Sequence, residues 1–392
     1  MKFQRLQWFV LLTFSYCACD ASSPLPMNSI SMKNILGEQD SGQENHFKQA
    51  LKPRAFQFPR DHLAHQAYKT EWWYLSGNIN TDSSNKSAST RKFAYQFTLF
   101  RFALHPEKIS LNKSAWRSSN IYMAHAALTD VKNHKVYQRE RFSRDGLALA
   151  GAGKNENGFL RFWLNDWQMQ SMLSDQLFPL TLVIEDEEFS LNLQLEPVKP
   201  LVLQGNQGLS QKSSRHASYY YSYTRLASKG NIRVGNKTYE VSGDSWFDRE
   251  WSTSSLGENQ QGWDWFALHL DDGSDLMIYQ MRKKDGVKDI FSSGILVDSQ
   301  GNHEMLQAQE FQLKAGEFWQ SPVSGIRYPI SWDILIPKKN IKLTVSTLVK
   351  QQEWSKAGGF SFNYWEGSIE VNGSKNQQPI SGSGYLEMTG YD

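Results

Sequence analysis

From Phe56 onward the chain alternates. Phe93, Tyr95, Phe97 and Leu99 take every second place, with Ala94, Gln96 and Thr98 between them. Side chains of an extended strand point to opposite faces in turn, so this period of two predicts a strand. The same period runs through Leu191, Leu193 and Leu195, through Ile232 and Val234, and approximately through Leu343, Val345 and Leu348. Turn-forming residues fall between such runs: Arg144-Asp145-Gly146, Gly235-Asn236, Asp271-Asp272-Gly273-Ser274, Ser299-Gln300-Gly301-Asn302 and Val371-Asn372-Gly373. No stretch shows three helical turns behind a capped start. The nearest, Asp166 to Leu177, reads equally well as strand and loop.

The pattern predicts an all-β protein, and many strands at short spacing mean a sandwich or a barrel. A closed barrel removes sheet edges and holds one small ligand in its lumen. At 392 residues the chain has length for two domains with full cores. We expect two barrels, 56–250 and 251–392, meeting near the apolar-poor stretch from Ser252 to Gly262.

The N-terminus reads as an export signal over residues 1–19. Lys2 and Arg5 precede a short apolar run from Leu6 to Tyr16, closed by Cys17-Ala18-Cys19-Asp20. Such a run is too short to span a bilayer. A small residue before Cys19 resembles a bacterial lipoprotein processing site, with Cys19 acylated as the new N-terminus. Asp20 after it resembles the sorting signal for inner-membrane retention on the periplasmic side. Residues 20–55 are polar and aperiodic, and are expected to form a tether.

Both cysteines lie in the signal, so the rest of the chain holds no disulfide and no cysteine-based zinc site. We expect neither a metal nor a cofactor. The chain carries 42 basic and 40 acidic residues; without Lys2 and Arg5 the basic count is 42 − 2 = 40, and the charges balance. Without a basic face, nucleic acid is not an expected partner. Aromatic residues make up 13% of the chain, which suits strands and sites for apolar or flat ligands.

The aromatic residues concentrate in two clusters. One is Glu71-Trp72-Trp73-Tyr74, preceded by His62 and His65. The other runs from Gly243 to Leu270 and contains Asp244, Trp246, Asp248, Arg249, Glu250 and Trp251, then Trp263, Asp264 and Trp265. Carboxylates set among indoles risk desolvation, which raises their pKa into a useful general-acid range. If the segment is extended, Trp246, Asp248 and Glu250 share a face while Arg249 turns away towards Asp244 or Glu71. By the same rule Trp263 and Trp265 point one way and Asp264 the other.

Phe58-Pro59-Arg60-Asp61-His62, His65, Thr70-Glu71-Trp72-Trp73-Tyr74 and Gly77-Asn78 together resemble the opening signature of the AttH-like family. Tyr95-Gln96-Phe97, Phe100-Arg101, Ala124-His125-Ala126, the segment Gly243 to Trp251, Gly262 to Phe266 and Gly382 to Tyr391 extend the resemblance over roughly 55–392. The family includes carotenoid 1,2-hydratase (hydroxyneurosporene synthase) and many exported bacterial proteins labelled as hydrolases. The resemblance implies two lipocalin-like barrels in tandem and leaves the activity open.

Three function classes follow. The first is an exported barrel pair that binds a lipid-like or isoprenoid ligand, beside an envelope transporter of the ABC type. The second is a hydratase that adds water to an apolar C=C. It needs a buried, protonated carboxyl to give the proton and aromatic faces to tolerate the cation. Asp248, Glu250 and Asp244 are its candidate acids. Glu71, Trp72, Trp73, Tyr74, Trp246, Trp251, Trp263, Trp265, His125 and His269 are the candidate ligand contacts. The third is a structural envelope protein in which the same residues glue two barrels together, Asp248 joining an interface network near Arg249. A serine hydrolase is disfavoured, because Gly243-Asp244-Ser245 and Gly382-Ser383-Gly384 lack the nucleophile-elbow frame. A buried pocket with acids inside it favours the second class, an apolar pocket the first, and a filled interface the third.

Overall fold

The computed structural model describes residues 47–81, 90–106, 118–253 and 256–391. Cys19 and the expected signal segment lie outside the described residues, as does most of the expected tether. Strands dominate, and the helices described are single 3-10 turns such as Arg60–His62. Two large antiparallel sheets carry the fold, one of 13 strands and one of 10. The first curls into a near-barrel and the second into a half-barrel.

The first sheet ends with the long strand Lys237–Ser252, and the second begins with Gln260–Leu270. Within the first, Thr70–Thr81 lies between Lys92–Ala103 and Lys237–Ser252, so the two aromatic clusters of the sequence become neighbours. Its interior is filled by one face of each strand: Leu75, Phe97, Leu128, Phe162, Leu182, Leu193 and Phe247 are all buried there. The second sheet encloses Phe266, Leu268, Ile278, Ile334, Leu343 and Leu386. Between the sheets lies a third apolar layer, in which Tyr74, Trp246 and Tyr220 of the first meet Trp265, Met277, Tyr279 and Tyr385 of the second.

Three local expectations change. Asp166 to Leu177 resolves as the strand Trp167–Ser174 and a loop. Asn372-Gly373 is not a turn; it lies inside the strand Tyr364–Lys375, and the reversal falls at Asn376 and Gln377, both at positive φ. Gly373 serves there as a close-approach site, since a Cβ would meet the Lys342 carbonyl oxygen at 2.1 Å. Residues 47–55, expected as tether, pack on the body. Ala50 is buried in the first core, Tyr219 donates a hydrogen bond to the Lys52 carbonyl at 2.9 Å, and Arg54 pairs with Asp61. Low aromatic content hid this segment, whose anchors are backbone carbonyls together with the Ala50 and Arg54 side chains.

Candidate functional site

The register of three strands builds the first half of the site. Across Thr70–Thr81 and Lys237–Ser252, Trp72 pairs with Glu250, Tyr74 with Asp248 and Ser76 with Trp246. Directly opposed residues of an antiparallel pair share a face, and this set faces the second sheet. Glu71 opposite Trp251 and Trp73 opposite Arg249 therefore turn into the first barrel. Each of the two sequence clusters is thus split between two environments by the pleat.

On the inner face Glu71 is fully buried and accepts from both Arg101 and Arg249. Burial opposes its ionisation, but the two guanidiniums and His65 outweigh that and hold its pKa well below the usual value. Arg249 also sits 3.9 Å over the Trp73 ring, and His65 stacks on Trp251 at 3.9 Å. This is a neutralised, hydrogen-bonded knot inside the barrel. Glu71, Trp73 and Trp251, candidates for ligand contact, belong to it and do not line a cavity.

On the outer face a cavity opens between the sheets. Trp72, Tyr74, Phe100, Trp263, Trp265 and Tyr279 form its aromatic wall, and Asp248, Glu250, Glu366, Glu387 and Lys212 supply the charge-bearing groups. Trp263 and Trp265 face it together, while Asp264 points away to Tyr391 and Arg282, as the alternation requires.

Asp248 accepts hydrogen bonds from the Tyr220 hydroxyl (2.7 Å), the Trp246 indole (2.7 Å) and the Ser222 hydroxyl. Burial nevertheless dominates and pushes its pKa from 3.8 to about 7. Glu250 accepts from Ser218 and lies 3.3 Å from the Lys212 ammonium. Burial works against the charge on Lys212, yet Glu250 and the surrounding acids and tyrosines raise its pKa overall. Its ammonium also lies 4.3 Å over the Tyr279 ring. Arg249, expected close to Asp248, is instead on the other side of the sheet.

The second sheet adds a pair the sequence reading missed. Trp265, Glu387 and Glu366 form one row across three neighbouring strands, with Glu366 directly opposite Glu387. Like charges in that relation repel. Burial and the Glu387 charge drive the Glu366 pKa well above 4.5, against the pull of the adjacent Tyr74 and Tyr364 hydroxyls. Glu387 rises to about 7, chiefly by burial, although Trp263 donates to it at 2.8 Å. Oε1 of Glu366 and the Tyr74 hydroxyl have no formed hydrogen bond among the described residues. Both acids follow an aromatic two places earlier, Tyr364 and Tyr385, which is the spacing of Trp246 and Asp248. That repeat was the available signal.

The remaining candidates sit nearby but outside the cavity lining. Trp246 acts through its bond to Asp248. Asp244 is paired with Arg225 at 3.1 Å, away from the other acids. His269 is buried against Trp246 and bonded to the Thr224 carbonyl at 2.8 Å. His125 lies behind Tyr364, sandwiched with Trp354.

A family model described as AttH-like matches residues 49–391. A crystal structure of an AttH protein from Nitrosomonas europaea superposes with a TM-score of 0.74 at 31% identity, covering 88% of this chain and 100% of that one. Kievitone hydratase from Nectria haematococca gives a TM-score of 0.63 at 13% identity, covering 88% and 98%. CghA in the presence of Sch210972 gives 0.52 at 10% identity, covering 89% and 97%. At such identities the last two establish a shared fold alone. No curated protein matches the sequence.

Proposed function

The chain belongs to the AttH-like family, and from that premise we propose that its cavity binds an apolar, unsaturated molecule and adds water across a C=C. The observation that carries this is Glu366: a buried carboxyl lining the cavity, directly opposite Glu387, whose pKa burial and the Glu387 charge drive well above the usual carboxylate value. An aromatic cavity made for passive binding has no need of three carboxyls whose pKa values are raised by burial. The presence of acids inside the pocket therefore favours catalysis over carriage, and the open space disfavours a purely adhesive interface. Kievitone hydratase, a hydratase by name on the same fold, supports the reading by analogy.

In this scheme Glu366 gives its proton to one alkene carbon, whose π pair forms the C–H bond. The positive charge left on the neighbouring carbon meets the faces of Trp72, Trp265 and Tyr279 and the carboxylate of Glu250. A water molecule then forms the C–O bond and releases a proton. Lys212 pairs with Glu250 at the cavity wall. An acylated Cys19 would keep the enzyme at a membrane, where substrates of this apolarity partition.

The test is incubation with lycopene in H₂¹⁸O followed by mass spectrometry. We expect a labelled tertiary alcohol from the wild type and at least about a 100-fold lower rate from Glu366→Gln, with the melting temperature unchanged. Unaltered lycopene recovered bound to the wild type would favour a carrier instead.

A further inference from the structure

One cluster outside the cavity is arranged as a chain of donors and acceptors that ends at the cavity wall. Nε2 of His125 lies 2.8 Å from Oε2 of Glu140, and Nδ1 lies 2.5 Å from the Tyr364 hydroxyl. Glu140 is itself fixed by the backbone N–H of Ser361 at 3.2 Å and the Ser361 hydroxyl at 3.0 Å. The imidazole is wholly buried and stacked on Trp354 at 4.3 Å, with the nearly parallel Tyr364 ring 5.7 Å away. Tyr364 lines the cavity next to Glu366.

The protonation states follow from the contacts. Burial lowers the His125 pKa, so the ring is neutral, and the hydrogen bonds from His125 and Ser361 keep Glu140 ionised against its own burial. A carboxylate accepts only, hence Nε2 carries the proton. Nδ1 is then the acceptor, and the Tyr364 O–H must point at it. The lone pairs of the Tyr364 oxygen are left facing Glu366. A purely structural histidine needs one such bond; this one is oriented by a carboxylate that is in turn oriented by a loop.

We propose that Glu140, His125 and Tyr364 form a proton relay serving the cavity, with Tyr364 as the base that receives the proton of the added water. This rests on the hydration reading above. As the water oxygen bonds to the cationic carbon, its proton passes to the Tyr364 oxygen, and the Tyr364 proton passes to Nδ1. The imidazolium so formed is held by Glu140. Glu366 has meanwhile lost one proton to carbon. The proton on His125 returns through Tyr364 to the Glu366 carboxylate, so the cycle closes with no net proton taken up. Tyr364 is the catalytic member; His125 and Glu140 are positioning residues acting through it. The groups facing Glu366 are Glu387, Tyr74 and Tyr364, and the one charged group facing His125 among the described residues is Glu140.

The relay is tested without substrate by ¹⁵N NMR of the full chain labelled at histidine. His125 is expected as the Nε2–H tautomer, with an Nδ1 shift that steps when Glu366, the acid beside Tyr364, titrates. That step vanishes in Tyr364→Phe, which breaks the link, and in Glu366→Gln, which removes the titrating group. An Nδ1–H tautomer, or a step that survives both substitutions, overturns the relay. In lycopene hydration, Glu140→Gln is expected to lower kcat about 100-fold with KM unchanged, and Glu140→Asp to recover part of it. If the wild type leaves lycopene unchanged but the NMR step depends on Tyr364, the hydration reading falls and takes the role of Tyr364 as base with it, leaving only the hydrogen-bonded proton path from Glu140 to the cavity. If lycopene is hydrated and Glu140→Gln is unimpaired, the relay alone falls.

Discussion

Two carboxyl clusters lie on opposite faces of the strand pair Thr70–Thr81 and Lys237–Ser252, the outer one completed by acids of the second sheet, and they have opposite electrostatics. On the inner face Glu71 meets Arg101 and Arg249 and is ionised. On the outer face Asp248 and Glu366 are buried and Glu387 partly so, but the one ammonium lining their cavity, Lys212, is engaged with Glu250. Their pKa values rise instead. Burial alone therefore does not decide what a carboxyl does. The number of cations that share its space does, and here a shift of one residue along the strand changes that number.

The sharpest way to break this comparison is to remove one acid from each face. Glu71→Gln leaves two buried guanidiniums without a counter-charge and is expected to cost about 3–5 kcal/mol in urea unfolding. Glu366→Gln replaces a group whose pKa is driven well above the usual carboxylate value, and is expected to move the same midpoint by a small fraction of that. Equal losses would show that both clusters are structural.

The next effect is read in pH. An acid whose folded pKa is raised is bound to a proton in the folded state while the unfolded state has released its own. For Asp248, stability is unaffected below its ordinary value of 3.8, falls as pH rises towards about 7, and levels off above that. The slope is about 1.4 kcal/mol per pH unit for each proton so held. Asp248→Asn should flatten that part of the curve by one such contribution, seen in urea midpoints across the range. Glu71 behaves with the opposite sign: its contribution is present above its ordinary 4.5 and is lost as pH falls.

The smallest expected change comes from Trp263→Phe. The indole donor lowers the Glu387 pKa, so its loss should raise that pKa further and extend the protonated form to higher pH. Carboxyl ¹³C NMR of Glu387 measures this directly. A downward shift would mean that the bond is not formed.

Much of this arrangement was legible in the sequence, and for a definite reason. Alternation along Lys237–Ser252 correctly separates Trp246, Asp248 and Glu250 from Arg249, and alternation along Gln260–Leu270 separates Trp263 and Trp265 from Asp264. What alternation cannot give is which strands become neighbours. It left Arg249 between Asp244 and Glu71, and did not reveal that Arg101 would join it on Glu71. Nor did it bring Glu366 and Glu387 into one row with Trp265, because that depends on pairing between distant segments. His125 was singled out as a ligand contact from its apolar strand; the structure moves it one residue back from the cavity, behind Tyr364. The 47–55 segment escaped notice because backbone acceptors leave no mark on side-chain pattern.

The pairing of Thr70 with Ser252 also bears on how the chain folds. The strand Thr70–Thr81 gains one neighbour early, from Lys92–Ala103, but its other edge stays open until the chain has been made as far as Ser252. Closing so large a loop precedes any gain from the contacts it allows, which places such a sheet among slow folders. Throughout that wait Glu71 lacks Arg249, and the unpaired edge, rich in tryptophan, is a template for association between nascent chains. The inner charged knot is then the latch that closes only when the first sheet is complete.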